Sequence, residues 1–287
     1  MDGDQVLTKG LILCGFECAR HGAPNTKLRR FRAHFGVGPD AVAAIYNDLI
    51  PVGVHINDLL MGLNFLKGYD TEHVLSGRWK MDEKKLREKN RATVKAIQAL
   101  KEKKVVWGEW DDDEVFIVSV DGVHCKIREV RKDPSSKWFD HKSHGAGLTY
   151  ELAIAIRSGK LVWMKGPFPA SVHDIKMFRG EEGDPNNKPE ESLKAMIPDD
   201  MKGIGDSGYK GEPQKMSTTK PRDSKEVKKF KGQVKSRHET FNGRIKFFLV
   251  LDMPFRHDIS QHKQCFEACC IAVQYDLENG HPLFEIR

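Results

Sequence analysis

The chain has 287 residues, 39% hydrophobic and 31% charged, with a formal net charge of +6; such figures suit a soluble globular protein of one large or two moderate domains. No apolar run approaches the roughly 18 residues that span a bilayer, and the start, MDGDQVLTKG, lacks the basic-then-apolar pattern of a secretion signal. An intracellular protein without a membrane segment is therefore expected, and six cysteines in so long a chain do not form a disulfide framework.

Residues 1–108 read as a helical domain. LRRFRAHFGVGPDAVAAIYNDLI gives two apolar-periodic segments broken between Gly36 and Pro39, and NDLLMGLNFLKGYDTEHVL continues with Asn57 as its N-cap. Asp82 caps a further helix through KKLREKNRATVKAIQALKEKK, with Leu86, Val94, Ile97 and Leu100 on its apolar face. Two helices about a short turn fit either a helix-turn-helix DNA reader or a plain bundle with a solvated charged face.

The composition changes at residue 109, where a second domain, 109–287, begins. After the acidic EWDDDE, VFIVSVDG is a β-branched and aromatic strand ending at Asp121-Gly122, with HCKIREV as its hairpin partner. YELAIAIRSGKLVWMKGPF is strand, Ser-Gly turn and strand. SVHDIKMFRG is a short helix capped by Ser171, and residues 181–199 are a loop. KGIGDSGY is a short strand with a tight turn. VKSRHETFNGRIKFFLV is an amphipathic helix with Val234, Phe241, Ile245 and Phe248 on one face, and ISQHKQCFEACCIAVQYDLE is a last helix.

Cys14 and Cys18 with His21, and His262, Cys265, Cys269 with Cys270, lack the C-x2-C knuckle usual in zinc sites, so buried thiols are the better reading. The positive charge is regional: residues 207–250 hold twelve Lys or Arg against four Asp or Glu. A field so concentrated implies a polyanionic partner, nucleic acid first.

Four acids stand out: Asp121 at a strand end, Asp174 in the first turn of a helix, Asp206 between glycines, and Glu239 on a lysine-bearing helix. Singly each is an ordinary turn or helix residue. Asp121 and Asp206 share one sheet edge if their strands are neighbours. Carboxylates without His or Cys companions select magnesium or manganese, and two such ions about 4 Å apart suit phosphodiester chemistry.

VSVDGVH, PFPASVHDIKMF, GDSGY and HETFNGRIK, in that order, together with NFLKGYDTEHVLSGRW, KWFDHKSHGAGLTYELAIAI and VQYDLENGHPLFEI, resemble PIF/Harbinger-type DDE transposases and the domesticated proteins derived from them. The resemblance runs from about Leu28 to the C-terminus and implies an α/β, RNase H-like mixed sheet flanked by helices, behind the helical N-terminal domain. It implies catalytic Asp121, Asp206 and Glu239, with Asp174 joining them as metal ligand or support, and Mg2+ or Mn2+ as the cofactor. Lys210, Lys235, Arg237, Arg244 and Lys246 are the cations expected to hold DNA. It further implies a nuclear DNA-cutting and strand-joining enzyme, a Myb-like DNA-binding partner protein and a homo-oligomer. Two other readings stay open: a descendant that binds DNA or a protein without cutting, and a magnesium-dependent phosphohydrolase of small molecules. The lack of a Walker-type loop and of D-x-D-x-T weighs against the last.

Overall fold

The computed structural model describes residues 1–16, 23–108, 110–111, 113–131, 133–140, 144–180 and 188–286. In chain order its elements are α1 (Gly3–Leu13), α2 (Pro24–Phe35), α3 (Pro39–Leu49), α4 (Ile56–Gly68), α5 (Glu72–Trp79), α6 (Glu83–Ala99), α7 (Lys101–Lys104), β1 (Phe116–Lys126), β2 (Phe139–Asp140), β3 (Gly145–Ala155), β4 (Leu161–Pro169), α8 (Asp174–Arg179), α9 (Leu193–Met196), β5 (Lys202–Ile204), β6 (Met216–Ser217), α10 (Lys225–Lys246), α11 (Leu249–Asp252) and α12 (His262–Glu278). They form two compact units. One comprises Met1–Lys103, Arg244–Met253 and His257–Pro282; the other comprises Lys104–Gly243, Pro254–Arg256 and the residues from Leu283 on.

Several helices of the helical unit start on a local signal. Asp2 and Gln5 cap α1 reciprocally, Pro24 and Pro39 open α2 and α3, and Asp82 accepts from the N–H groups of Lys84 and Lys85 to cap α6. α4 begins two residues earlier than expected, because His55 rather than Asn57 is its cap: the His55 ring accepts the Asn57 N–H. α12 is buried along nearly its whole length and packs against α3 and α6, so its acids are paired. Asp276 takes both guanidinium nitrogens of Arg32 (3.0 and 2.8 Å) and the N–H of Gly38, while Glu267 takes Gln98 and Lys101. On α6, Leu86, Val94 and Ile97 are buried, and two cations are tied to other helices, Arg87 to Glu72 and Lys89 to Asp58. Cys265, Cys269 and Cys270 are buried, and burial pushes the Cys265 thiol up to about 12; Cys18 and His21 lie outside the described residues.

The other unit is a six-stranded mixed sheet. Its order is β2-β3-β1-β5-β6, with β4 also on β3; β1 is antiparallel to β3 and parallel to β5. β1 does not stop at Asp121-Gly122 and turn back through HCK. It runs on to Lys126, and its antiparallel partner is β3, with Gly122 opposite Glu151. The glycine that reads as a turn residue is instead a strand residue whose missing side chain makes room on one face. Ser171 does not cap α8, which starts at Asp174 behind His173, and the segment expected as a loop contains α9. α10 starts well before Val234, at Lys225, and ends before Phe248.

Because strand side chains alternate and directly opposed residues share a face, β1 sorts its residues cleanly. Val118, Val120 and Gly122 share a face with Ala155, Ala153 and Glu151, and the apolar members pack there with Phe178 of α8, Leu193 of α9 and Tyr209. Ser119 and Asp121 point to the opposite face, which α10 covers: the His238 ring shares a hydrogen bond with Ser119 (2.9 Å), and Asn242 donates to Asp121 Oδ2 (2.9 Å).

Candidate active site

Asp121, within β1, and Asp206, just past the end of β5, stand at the same level of neighbouring parallel strands. Ser119 lies beside Ile204, so two residues further along each chain is an aspartate. Both carboxylates are held by local backbone: Asp121 Oδ1 accepts from Gly122 (2.9 Å) and Asp206 Oδ1 from Gly208 (2.7 Å). Asp174, the first residue of α8, completes the group. A Cβ at Gly122 would stand 2.8 Å from Asp174 Oδ1, and one at Gly208 would stand 2.5 Å from Asp174 Oδ2 and 2.9 Å from Asp206 Oδ1. Asp174 and Asp206 therefore face each other across Gly208, each with a carboxylate oxygen against the space that a Cβ there would occupy. A side chain at Gly208 would fill the space between Asp174 and Asp206, and one at Gly122 would collide with the Asp174 carboxylate.

The buried Tyr209 hydroxyl registers the same convergence. It has no hydrogen-bond partner, and its pKa is raised, first by burial and then by the charges of Glu151, Asp174, Asp121 and Asp206. Glu151 is the member that sequence reasoning missed. It is fully buried on β3, accepts a hydrogen bond from Trp163 Nε1 (3.2 Å) and leaves Oε1 without a partner. Desolvation, with the Asp174 charge adding to it, pushes its carboxyl up to about 8. A lone acid opening the apolar run ELAIAI was the available signal.

Glu239 is exposed on α10, three residues before Asn242 and so nearly on the same helix face. Among the described residues no group of three or more His, Cys, Asp or Glu side chains stands in a coordinating arrangement. The chemistry of the set is nevertheless uniform: Asp121, Asp174 and Asp206 offer only hard carboxylate oxygens, the donors magnesium and manganese prefer, around a cradle kept open by two glycines. His238, beside Asp121 on the α10 face, is no competitor for the role of base, since burial lowers its pKa to about 3.

The expected cations divide by environment. Lys210 is exposed, Lys246 is half-buried, and Lys235 reaches Thr219 Oγ1 (3.2 Å). Arg237 is buried and donates to the carbonyls of Ala155 (3.0 Å) and Ile156; Arg244 donates to the carbonyls of His281 and Pro282. Lys231, buried, is committed to Thr218 O and Asp223. These three hold the chain together.

Residues 120–274, more than half of the chain, match the family of DDE superfamily endonucleases. The chain belongs to that family. The matched stretch includes Asp121, Asp174, Asp206 and Glu239, and endonucleases of this family typically use divalent metals. No curated protein and no solved structure shows significant similarity to the chain. No described helix is long and apolar enough to cross a membrane.

Proposed function

We propose that the protein is a divalent-metal-dependent DNA endonuclease and strand transferase of transposase type, of the PIF/Harbinger group, with an RNase H-like core. The observation that carries this reading is Asp174 facing Asp206 across Gly208, with Asp121 at the same level of the neighbouring strand, inside the matched region. Asp121, Asp206 and Glu239 are the ligands in this reading, with Asp174 beside them. Bound magnesium or manganese ions would supply activation of the attacking oxygen and stabilisation of the leaving oxygen of a phosphodiester. The protein's own residues orient that site. Asn242 holds one oxygen of Asp121 while the Gly122 N–H holds the other, the Gly208 N–H fixes Asp206, and Tyr209 with its apolar neighbours closes the floor to water. Lys210, Lys235 and Lys246 are the cations we assign to phosphates. A nuclear location, a Myb-like partner and self-association belong to the same reading.

The test is nicking of supercoiled plasmid by the purified protein with Mg2+ or Mn2+, beside Asp121→Asn and Asp206→Asn. Metal-dependent nicking that disappears in both variants, with unchanged circular dichroism, is the expected result. Retained nicking in either variant removes that aspartate from the site. Salt-dependent DNA binding with no nicking by any of the three proteins would instead support a descendant that binds without cutting.

A further inference from the structure

At the far end of the β1–β3 ladder from β5 lies an open groove of about 620 Å³, lined by Trp138, Phe139, Ser135, Ser136, Gly145 and Ala146 among others. This is within the roughly 300–1,000 Å³ of sites that take a small organic group. Phe139 is 40% exposed, unusual for a phenyl ring on a strand, and lies opposite Ala146 of β3. The neighbouring indole is fixed: Trp138 Nε1 donates to Asp133 O (3.0 Å) and Lys137 Nζ sits 4.8 Å above its ring, itself paired with Asp133. Lys137 is the cation on the indole, Arg128 and Arg131 are exposed beside the lining residues Glu129 and Val130, and Glu129 is an acid among the groove's own lining residues.

We propose that this groove is a stacking platform for an unpaired nucleobase of the DNA that the carboxylates act on, an inference that rests on the DNA-cutting reading above. An exposed aromatic face with Lys137 on one ring and Arg128 and Arg131 on the flanking chain suits a base and its phosphate, because bases outside a duplex stack on aromatic side chains whatever their sequence while Lys and Arg follow the backbone. A ring presented to intact duplex would find no free base face. The platform is also tied to the acids. The N–H of Ser171, three residues before Asp174, donates to Lys137 O (3.1 Å), and Lys126 is five residues along β1 from Asp121. At about 3.4 Å per residue that is about 17 Å, or about five base steps of duplex. A strand end opened at the carboxylates is within reach of the rings.

The experiment is fluorescence anisotropy in EDTA, with a blunt duplex and with the same duplex carrying a short 3′ or 5′ single-stranded overhang, for wild type, Phe139→Ala and Phe139→Tyr. The expected result is tighter binding of one overhang by wild type, a loss of about tenfold or more in Phe139→Ala on that overhang alone, the scale of one base–aromatic stack, and recovery in Phe139→Tyr. Equal binding of blunt and overhang DNA by wild type, or an equal loss on both in Phe139→Ala, overturns the platform. Absence of any DNA binding by wild type overturns it together with the DNA-cutting reading. Overhang preference in a protein that nicks no plasmid would leave the platform standing and sink the nuclease reading of the carboxylates.

Discussion

Replacing Glu151 by Gln should stabilise the protein by an amount that grows with pH. The folded carboxyl holds its proton up to about pH 8 because it is fully buried, with only the Trp163 N–H to solvate it and Asp174 opposing its charge. The unfolded glutamate releases its proton near the ordinary value of about 4.5. As pH rises past that point the unfolded state binds fewer protons than the folded one, so stability falls, by on the order of 3 kcal/mol by pH 7, levelling off above pH 8. Glutamine keeps the shape and the oxygen that Trp163 bonds, but has no proton to lose. Urea denaturation of wild type and Glu151→Gln in EDTA, from pH 4.5 to 8, checks it. The two should differ least at the acid end, with the variant gaining steadily as pH rises, because the titrations of the other acids largely cancel in the difference. A constant difference across that range would refute the reasoning and place an ionised carboxylate at Glu151.

Other positions separate structure from function. Arg237→Ala should cost about 2–4 kcal/mol in urea denaturation, since it takes the guanidinium from the Ile156 carbonyl and from the Ala155 carbonyl, which keeps the Gly159 N–H, and leaves a hole; a change near zero would return Arg237 to the candidates for DNA contact. Lys246→Ala should weaken DNA binding alike for all sequences and flatten its salt dependence by about one phosphate contact, read by anisotropy across a salt series; an unchanged slope puts Lys246 away from the backbone. Asn242→Ala removes one hydrogen bond to Asp121 and should raise the Mn2+ concentration needed for nicking by about ten- to a hundredfold. An unaltered metal requirement would mean that Asp121 needs no orienting partner.

What the sequence discloses here is what short-range chemistry determines. VFIVSVDG is strand because β-branched residues run unbroken through it, Asp82 caps α6 because its carboxylate reaches two N–H groups within three residues, and Asp206 beside Gly208 marks a turn that the structure shows as an N–H held by the carboxylate. What it conceals is set across the sheet. Gly122 reads as a turn until β3 lies beside it, and its need for glycine becomes plain only when Asp174, more than fifty residues later in the chain, stands where its Cβ would be. Glu151 draws no notice in the sequence until the register sets it opposite Gly122 and buries it. Arg237 reads as a phosphate-binding cation because it shares a helix with Lys235 and Glu239, yet it lies two positions from each and so on another face. Composition locates the positive charge on α10, but only the helix's rotation against β1 decides which cations meet solvent and which are spent on carbonyls. The same rotation brings Asn242 to Asp121 and leaves Glu239 exposed one turn earlier, so a single packing choice allots α10 both its structural arginine and its open acid.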